Sequence, residues 1–169
     1  MSDHESLITQ QIPRLRRYAR ALTGDRAAAD DLVQDTLERA LSRFHLWRQG
    51  SDLRAWLFTI MHNVFVNQVR SRARRYHESL ETEPAAEAVR APEPDWIELR
   101  DIANALSRLP QEQRAVVLLV GLEQFTYDEA ARVLGVPIGT VMSRLSRARE
   151  RLRALLGGDF KAAALKVVK

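Results

Sequence analysis

The most constraining feature of this sequence is the helical spacing of its apolar residues, which recur every three or four positions along nearly the whole chain. The sequence contains no sustained alternation of apolar and polar residues of the kind that would indicate a strand. Glycine and proline number only 7 and 6 among 169 residues. The pattern therefore predicts an all-α fold. Because the chain contains no cysteine, disulfides and cysteine-based zinc sites are excluded, and helix packing must supply the stability.

Short breaks in the helical spacing divide the first part of the chain into three helices. The first two, over about residues 7–22 and 26–43, are separated by Thr23-Gly24-Asp25, where the glycine can end one helix and the aspartate can cap the next. So short a turn predicts that these helices are antiparallel. After an irregular segment, Asp52 is placed to cap a long third helix, which closes a first small domain over residues 1–75.

The composition changes over residues 76–95, which are rich in Glu, Ala and Pro and poor in large apolar groups. This composition predicts a flexible linker between two small helical domains. The second domain then occupies residues 96–169. It is expected to begin with a helix over about residues 96–108 and to continue with one from Pro110 to near residue 122, because the fixed φ of proline favours the first helical turn.

A helix-turn-helix is predicted from the spacing of Ala131, Gly135 and Val141. The small residue lets two helices cross closely, the glycine permits a left-handed turn, and the branched residue anchors the second helix. The segment Thr126-Tyr127-Asp128-Glu129 has the form of a capping box that opens the first of these helices. Any tight helix pair needs a small residue and a glycine, so this trio alone leaves DNA binding and ordinary packing equally open.

The charges of the next helix, which is expected to run to about residue 156, favour DNA. An exposed helix stabilised by ion pairs mixes signs at i, i+4 spacing, whereas this helix carries a single acid, Glu150, among five arginines: Arg144, Arg147, Arg149, Arg151 and Arg153. Phosphate is therefore the favoured partner. Residues near the start of such a helix meet base edges or the nearby backbone, and Arg147 is the best candidate for bidentate bonding to guanine.

A run of acids, Asp30-Asp31-Leu32-Val33-Gln34-Asp35-Thr36-Leu37-Glu38, lies on the predicted second helix. One interpretation is a solvated face near a helix N-terminus, where the dipole favours acids. The motifs that follow it are Trp47 in a loop, Asp52-Leu53-Arg54-Ala55-Trp56-Leu57-Phe58-Thr59-Ile60, Asn63, Asn67, and a basic end at Arg70, Arg72, Arg74 and Arg75. This order resembles region 2 of the extracytoplasmic-function (ECF) sigma factors. The second domain resembles region 4 of that family through Leu109-Pro110, Thr126-Tyr127-Asp128-Glu129-Ala130-Ala131 and Pro137-Ile138-Gly139-Thr140-Val141.

The resemblance covers about residues 7–156 and implies an alternative sigma factor that directs promoter-specific transcription initiation, in a stress or envelope response. It implies core RNA polymerase, promoter DNA and an anti-sigma factor as partners, and no cofactor. By the same likeness, the acidic helix would dock on the clamp helices of the largest polymerase subunit through Asp31, Leu32, Gln34, Asp35 and Glu38.

The resemblance also implies a separate surface for each promoter element. The loop and third helix would open the minus-ten element through Trp47, Asn63, Asn67 and Arg70. The helix-turn-helix would bind the minus-thirty-five element through Thr140, Ser143, Arg144, Ser146, Arg147 and Arg149. An aromatic ring is a suitable platform for the unstacked bases that strand separation exposes, and side-chain amides can bond to freed base edges. Trp47 as an ordinary core residue, and Phe44 as the pocket aromatic, remain alternatives.

Two other classes compete with this interpretation. In a stand-alone helix-turn-helix regulator, residues 1–75 would dimerise or sense a signal, and the protein would bind duplex DNA without polymerase. An enzyme is disfavoured because no metal-ligand spacing, phosphate loop or nucleophile with a base partner occurs. The longest apolar run, Ala115–Val120, is far shorter than the roughly 20 residues of a membrane span, so we expect a cytoplasmic protein without membrane insertion.

Overall fold

The structure is a computed structural model that describes residues 2–78 and 97–157, with the backbone alone at residues 97 and 98. Within those ranges every regular element is helical, which confirms the predicted all-α fold. The α-helices there are α1 (Asp3–Thr23), α2 (Arg26–Ser42), α3 (Leu53–Glu78), α4 (Ile97–Ser107), α5 (Gln111–Val117), α6 (Tyr127–Leu134) and α7 (Ile138–Leu155). Helix α3 continues past the predicted domain end at residue 75, and the rest of the predicted linker, up to residue 95, lies outside the described residues.

Local caps end and begin the helices where the sequence predicts them. Gly24 ends α1 with a φ of 67°, in the left-handed region that glycine adopts without strain. The Asp25 carboxylate then accepts a hydrogen bond from the Ala28 amide at 3.1 Å. Asp52 accepts one from the Ala55 amide at 3.1 Å at the start of α3. These bonds satisfy amides that the first turn of a helix leaves without partners.

The N-terminal half, α1 to α3, has a core formed by one apolar face of each helix. Leu15 of α1, Leu32 of α2, and Leu57 and Met61 of α3 are all fully buried in it. Thr36 is also buried, and its hydroxyl donates to the Leu32 carbonyl at 2.7 Å, so no polar group of that side chain is left without a partner.

The C-terminal half, α4 to α7, contains one element that the sequence pattern did not predict. The helix expected to run from Pro110 to near residue 122 changes after α5 into a π turn over Leu118–Leu122. Its wider winding is seen in the hydrogen bond from the Glu123 amide to the Leu118 carbonyl at 3.0 Å. The chain then bends at Gln124, which has a φ of 58°. This geometry leaves both Glu123 and Phe125 buried.

The two halves pack against each other through α1, which contacts α4 and α5, and α3, which contacts α6. The Phe58 ring of α3 lies edge-on to Tyr18 and to Phe125, with 5.2 Å between ring centroids in each pair. The Arg114 guanidinium of α5 donates to the Leu22 carbonyl at the end of α1 at 2.8 Å. Burial lowers the pKa of this arginine, which still bonds to carbonyls at the end of α4.

Candidate nucleic-acid interface

The predicted helix-turn-helix is confirmed as α6, a tight turn and α7. Gly135 ends α6 in the left-handed conformation, with φ 65° and ψ 36°. The Val136 amide closes the turn on the Ala131 carbonyl at 3.1 Å, and both Ala131 and Val141 are buried where the helices cross. The capping box at the start of α6 is complete, because Thr126 and Glu129 each bond through the side chain to the amide of the other.

Helix α7 has one apolar and one polar face. The buried face consists of Val141, Leu145, Ala148 and Leu152, at helical spacing. The opposite face exposes Ser143, Ser146 and Arg147, three of the predicted base-edge residues. Thr140 and Arg149 are half-buried at its margins, whereas Arg151 and Arg153 are exposed further along. A regular helix therefore presents hydroxyls and guanidinium groups together on one side, as insertion into a major groove requires.

Arg144 lies close to charged or titratable groups of two other helices, α5 of its own half and α3 of the N-terminal half. Its side chain is 24 % exposed and lies 3.8 Å from the Glu112 carboxylate of α5. The pKa of His62 on α3 is lowered by burial and, secondarily, by the positive charge of Arg144. In this conformation Arg144 is thus half-buried and paired with α5 of its own half, whereas Ser143, Ser146 and Arg147 are exposed.

The segment that joins α2 to α3 forms an aromatic cluster, consisting of His4, Phe44, Trp47 and Trp56. Phe44 opens a short 3-10 turn, and its ring centroid lies 5.2 Å from Trp47 and 6.1 Å from Trp56. His4, at the start of α1, stacks on Phe44 at 4.4 Å. Trp47 is half-buried, and its indole Nε1 is buried with no hydrogen-bond partner among the residues described. Sequence reasoning missed His4, because no local motif connects it with a segment forty residues away.

The other residues predicted to contact the minus-ten element lie along α3. Asn63, Asn67 and Arg70 are all exposed, and they follow one another at helical spacing on the same side. Their amide and guanidinium groups are therefore accessible to a partner. The half-buried ring of Trp47 suits both a packing role and a stacking role.

The acidic helix α2 exposes Asp31, Gln34 and Glu38. Asp35 is half-buried and accepts a hydrogen bond from the Gln68 side chain of α3 at 2.9 Å, which ties the two helices together. Leu32 is fully buried in the core. The prediction that Leu32 itself contacts a partner is therefore corrected: the residue points inward, because it lies on the apolar face of α2, and it supports the acidic surface from beneath.

Within the described ranges, no group of His, Cys, Asp and Glu side chains is arranged to hold a metal ion. None of the helices in those ranges is long and apolar enough to cross a membrane.

Comparison with known proteins places the two halves in related families. A family model described as the Sigma2 domain of PhyR matches residues 8–62, and one described as Sigma-70, region 4 matches residues 99–152. The ECF RNA polymerase sigma factor EcfG of Rhodopseudomonas palustris is 40 % identical, over 90 % of this chain and 84 % of that protein.

Two solved structures are similar over nearly the whole chain. The sigma factor RpoE of Bartonella quintana, in complex with the anti-sigma factor NepR, has a TM-score of 0.83 and 38 % identity, covering 94 % of this chain and 99 % of that one. CnrH, in complex with the cytosolic domain of CnrY, has a TM-score of 0.67 and 29 % identity, covering 92 % of this chain and 88 % of that one.

Proposed function

Since this chain belongs to the ECF RNA polymerase sigma factors, we propose that its acidic surface binds core polymerase while its two DNA-facing surfaces recognise separate promoter elements. It is an alternative sigma factor that directs promoter-specific transcription initiation. The observation that carries the assignment of surfaces is the exposed polar and basic face of α7 in the C-terminal half, paired with an exposed acidic helix in the N-terminal half.

The polymerase-binding surface consists of Asp31, Gln34, Asp35 and Glu38 on α2. Exposed carboxylates contribute little to the stability of a fold, so their concentration on one helix is better explained by a partner with complementary charge. The buried Leu32 and the bond between Asp35 and Gln68 hold the helix in place against α3. The surface is therefore presented on a rigid element, as a specific interface requires.

The minus-ten surface consists of the aromatic cluster and the polar residues of α3. Opening a promoter leaves bases without their stacking partners, and an aromatic side chain can replace that stacking. Trp47 provides such a ring next to Phe44, and Asn63, Asn67 and Arg70 provide exposed groups for base edges and phosphates. The minus-thirty-five surface consists of Thr140, Ser143, Arg144, Ser146, Arg147 and Arg149 on α7, which would enter the major groove of duplex DNA.

Further properties follow from the same assignment. We propose that the protein acts in the cytoplasm, where core polymerase is found, that it responds to a stress or envelope signal, and that it has no catalytic activity of its own. We also propose an anti-sigma factor as its regulator, supported by the similar sigma factor RpoE, whose structure contains the anti-sigma factor NepR.

The proposed function is tested by adding the purified protein to core polymerase and a library of genomic promoters. Specific transcripts that appear only with the protein present support it, and their absence contradicts it. Binding of the isolated protein to duplex DNA with high affinity, without polymerase, would instead indicate a stand-alone regulator.

The polymerase-binding surface is tested by reversing the charge of one of its exposed acids with Asp31→Lys. We expect weaker binding to core polymerase and unchanged thermal stability, because an exposed charge contributes little to folding. Asp3→Lys is the matched control, since Asp3 is also exposed but lies at the start of α1. If the two variants bind core polymerase with equal affinity, the acids of α2 are simply exposed to solvent and do not form a binding surface.

A further inference from the structure

The surface of helix α7 carries two large apolar side chains close to the start of the helix. Ile138, the first residue of α7, is 43 % exposed, and Met142, one turn later, is 49 % exposed. Because they are four positions apart, they lie on the same side of the helix. Neither belongs to the buried face by which α7 packs against the rest of the chain. Their apolar surface is therefore accessible to a partner.

Met142 lies among the polar groups that are proposed to contact the minus-thirty-five element. Ser143 follows it directly, Ser146 lies one turn further along, and both are exposed. Met142 also borders a shallow recess between α6 and α7, which Tyr127, Ser146 and Arg149 line together with it. Hydroxyl and guanidinium groups on this part of the surface can bond to base edges and phosphates. The methionine adds an exposed apolar group beside them.

The position of Met142 along α7 distinguishes it from another exposed apolar residue of the same helix. Residues near the start of a recognition helix lie closest to base edges in the major groove. Met142 is in the second turn of α7 and therefore lies within this zone. Leu155 is 41 % exposed, but it is the last residue of the helix, about 20 Å further along the axis. Of these two side chains, only that of Met142 is placed to reach a base.

The chemistry of the major groove determines what an apolar side chain can recognise there. Base edges present hydrogen-bond donors and acceptors, and the apolar group among them is the C5-methyl of thymine. Contact between that methyl group and an apolar side chain removes the surface of both from water, which is favourable. A methionine suits such a contact because its unbranched thioether chain adapts to the shape of its neighbour. An apolar side chain in the base-contacting part of α7 therefore predicts a preference for thymine.

We propose that Met142 is a specificity-determining residue, which recognises the C5-methyl group of one thymine in the minus-thirty-five element. This recognition requires α7 to enter the major groove, so it rests on the function proposed above. Hydrogen-bonding side chains such as Arg147 recognise the donors and acceptors of the base edges, and Met142 recognises an apolar group beside them. Ile138 is less suited to this role because it is the first residue of the helix, where contacts to phosphate predominate.

The test removes the methyl group from the DNA. A promoter that the protein transcribes with core polymerase is prepared with each thymine of its minus-thirty-five element, on either strand, replaced in turn by deoxyuridine, which lacks only the C5-methyl. Competition binding of the complex of protein and core polymerase gives the ratio of dissociation constants for the uracil and thymine forms at each position. We expect a ratio of about 2 to 5 at one position, because burying a single methyl group contributes roughly this much affinity.

Substitutions of Met142 should change this ratio in a predictable way. Met142→Ala removes the apolar partner and should bring the ratio at that position to about 1, whereas Met142→Leu should retain it. Met142→Gln, which is similar in length but polar, should lose the ratio as well, so the result does not depend on one variant. Leu155→Ala is the matched control, since it removes an exposed apolar side chain of α7 far from the bases, and it should keep the ratio. The ratio compares two DNAs with the same protein, so a general loss of stability cancels from it.

Several outcomes would overturn this role of Met142. Equal binding of the uracil and thymine forms at every position by the unmodified protein is one, and an element with no thymine on either strand is another. A ratio that survives in Met142→Ala, or that is lost in Ile138→Ala instead, would also exclude Met142 as the residue that contacts the methyl group. Failure of the proposed function is a different result, because the unmodified protein with core polymerase would then give no specific transcript from any genomic promoter.

Discussion

Helix α7 and the aromatic cluster are both assigned to promoter DNA, yet they are built differently. Helix α7 is regular, with a buried apolar face that holds it against α5 and α6 and an exposed face of hydroxyl and guanidinium groups. The aromatic cluster lies on an irregular turn, and its rings contact one another while the Trp47 indole is half-buried. We propose that this difference corresponds to two kinds of recognition: base edges of an intact duplex for α7, and unstacked bases for the cluster.

The proposed stacking role of the aromatic cluster is tested most directly by Trp47→Ala. Loss of one base-stacking platform costs about 1 to 3 kcal/mol, and the partner base becomes available only after strand separation. We therefore expect slower open-complex formation with initial promoter binding nearly unchanged, measured by stopped-flow fluorescence of a labelled promoter. Trp47→Phe should retain most of the rate. If Trp47→Ala unfolds the protein instead, the indole is a core residue and Phe44 becomes the candidate platform.

The proposed duplex binding by α7 is tested with two arginines, one expected to contact a base and the other a phosphate. Arg147 is exposed near the helix start, so Arg147→Ala should cost about 1 to 3 kcal/mol at one promoter position and relax the preference there. Arg151→Ala should weaken all sequences alike, as loss of a phosphate contact does. The measurement is transcription from competing minus-thirty-five variants in otherwise identical promoters. If Arg147→Ala lowers transcription equally from all promoter variants, Arg147 does not recognise a base, and Ser143, Arg144 or Ser146 must do so.

Gly135 makes the dependence of α7 on its turn testable. Its φ of 65° is strained for other residues, although a Cβ there would meet no neighbouring atom within 4 Å. Gly135→Ala should therefore lower the free energy of unfolding by about 1 to 2 kcal/mol through the backbone alone. Thermal unfolding measures the effect, and Gly139→Ala, at a helical position with similar space, is the control. A loss in both variants would point to helix packing rather than turn conformation.

The smallest effect is expected from His4→Ala, which removes the ring stacked on Phe44. Such ring pairs contribute about 0.5 to 1.5 kcal/mol beyond area burial, and less where they are exposed. We expect a modest loss of thermal stability and a change in Trp47 fluorescence, because the cluster loses one member. His45→Ala, at an exposed position in the same segment, should change neither. Unchanged fluorescence in His4→Ala would show that the N-terminus does not shape the cluster.

Features decided by neighbouring residues were predictable from the sequence, and features decided across the fold were not. The caps at Gly24, Asp25 and Thr126 depend on groups within four positions, so their chemistry is visible in the sequence. The direction of Leu32 was misjudged because a family likeness assigns it to a surface, whereas its helical position places it in the core. The pairing of Arg17 with Glu123 joins residues 106 positions apart, and no local pattern announces it.

The π turn over Leu118–Leu122 acts as one extra residue in an otherwise regular helical register. Deleting a single residue there, such as the exposed Gly121, would remove the extra residue and restore ordinary winding, so the wider turn that precedes Glu123 and Phe125 would be lost. The length of this segment is consequently under stricter geometric constraint than its amino-acid identities, and natural variation should tolerate substitution here more readily than insertion or deletion.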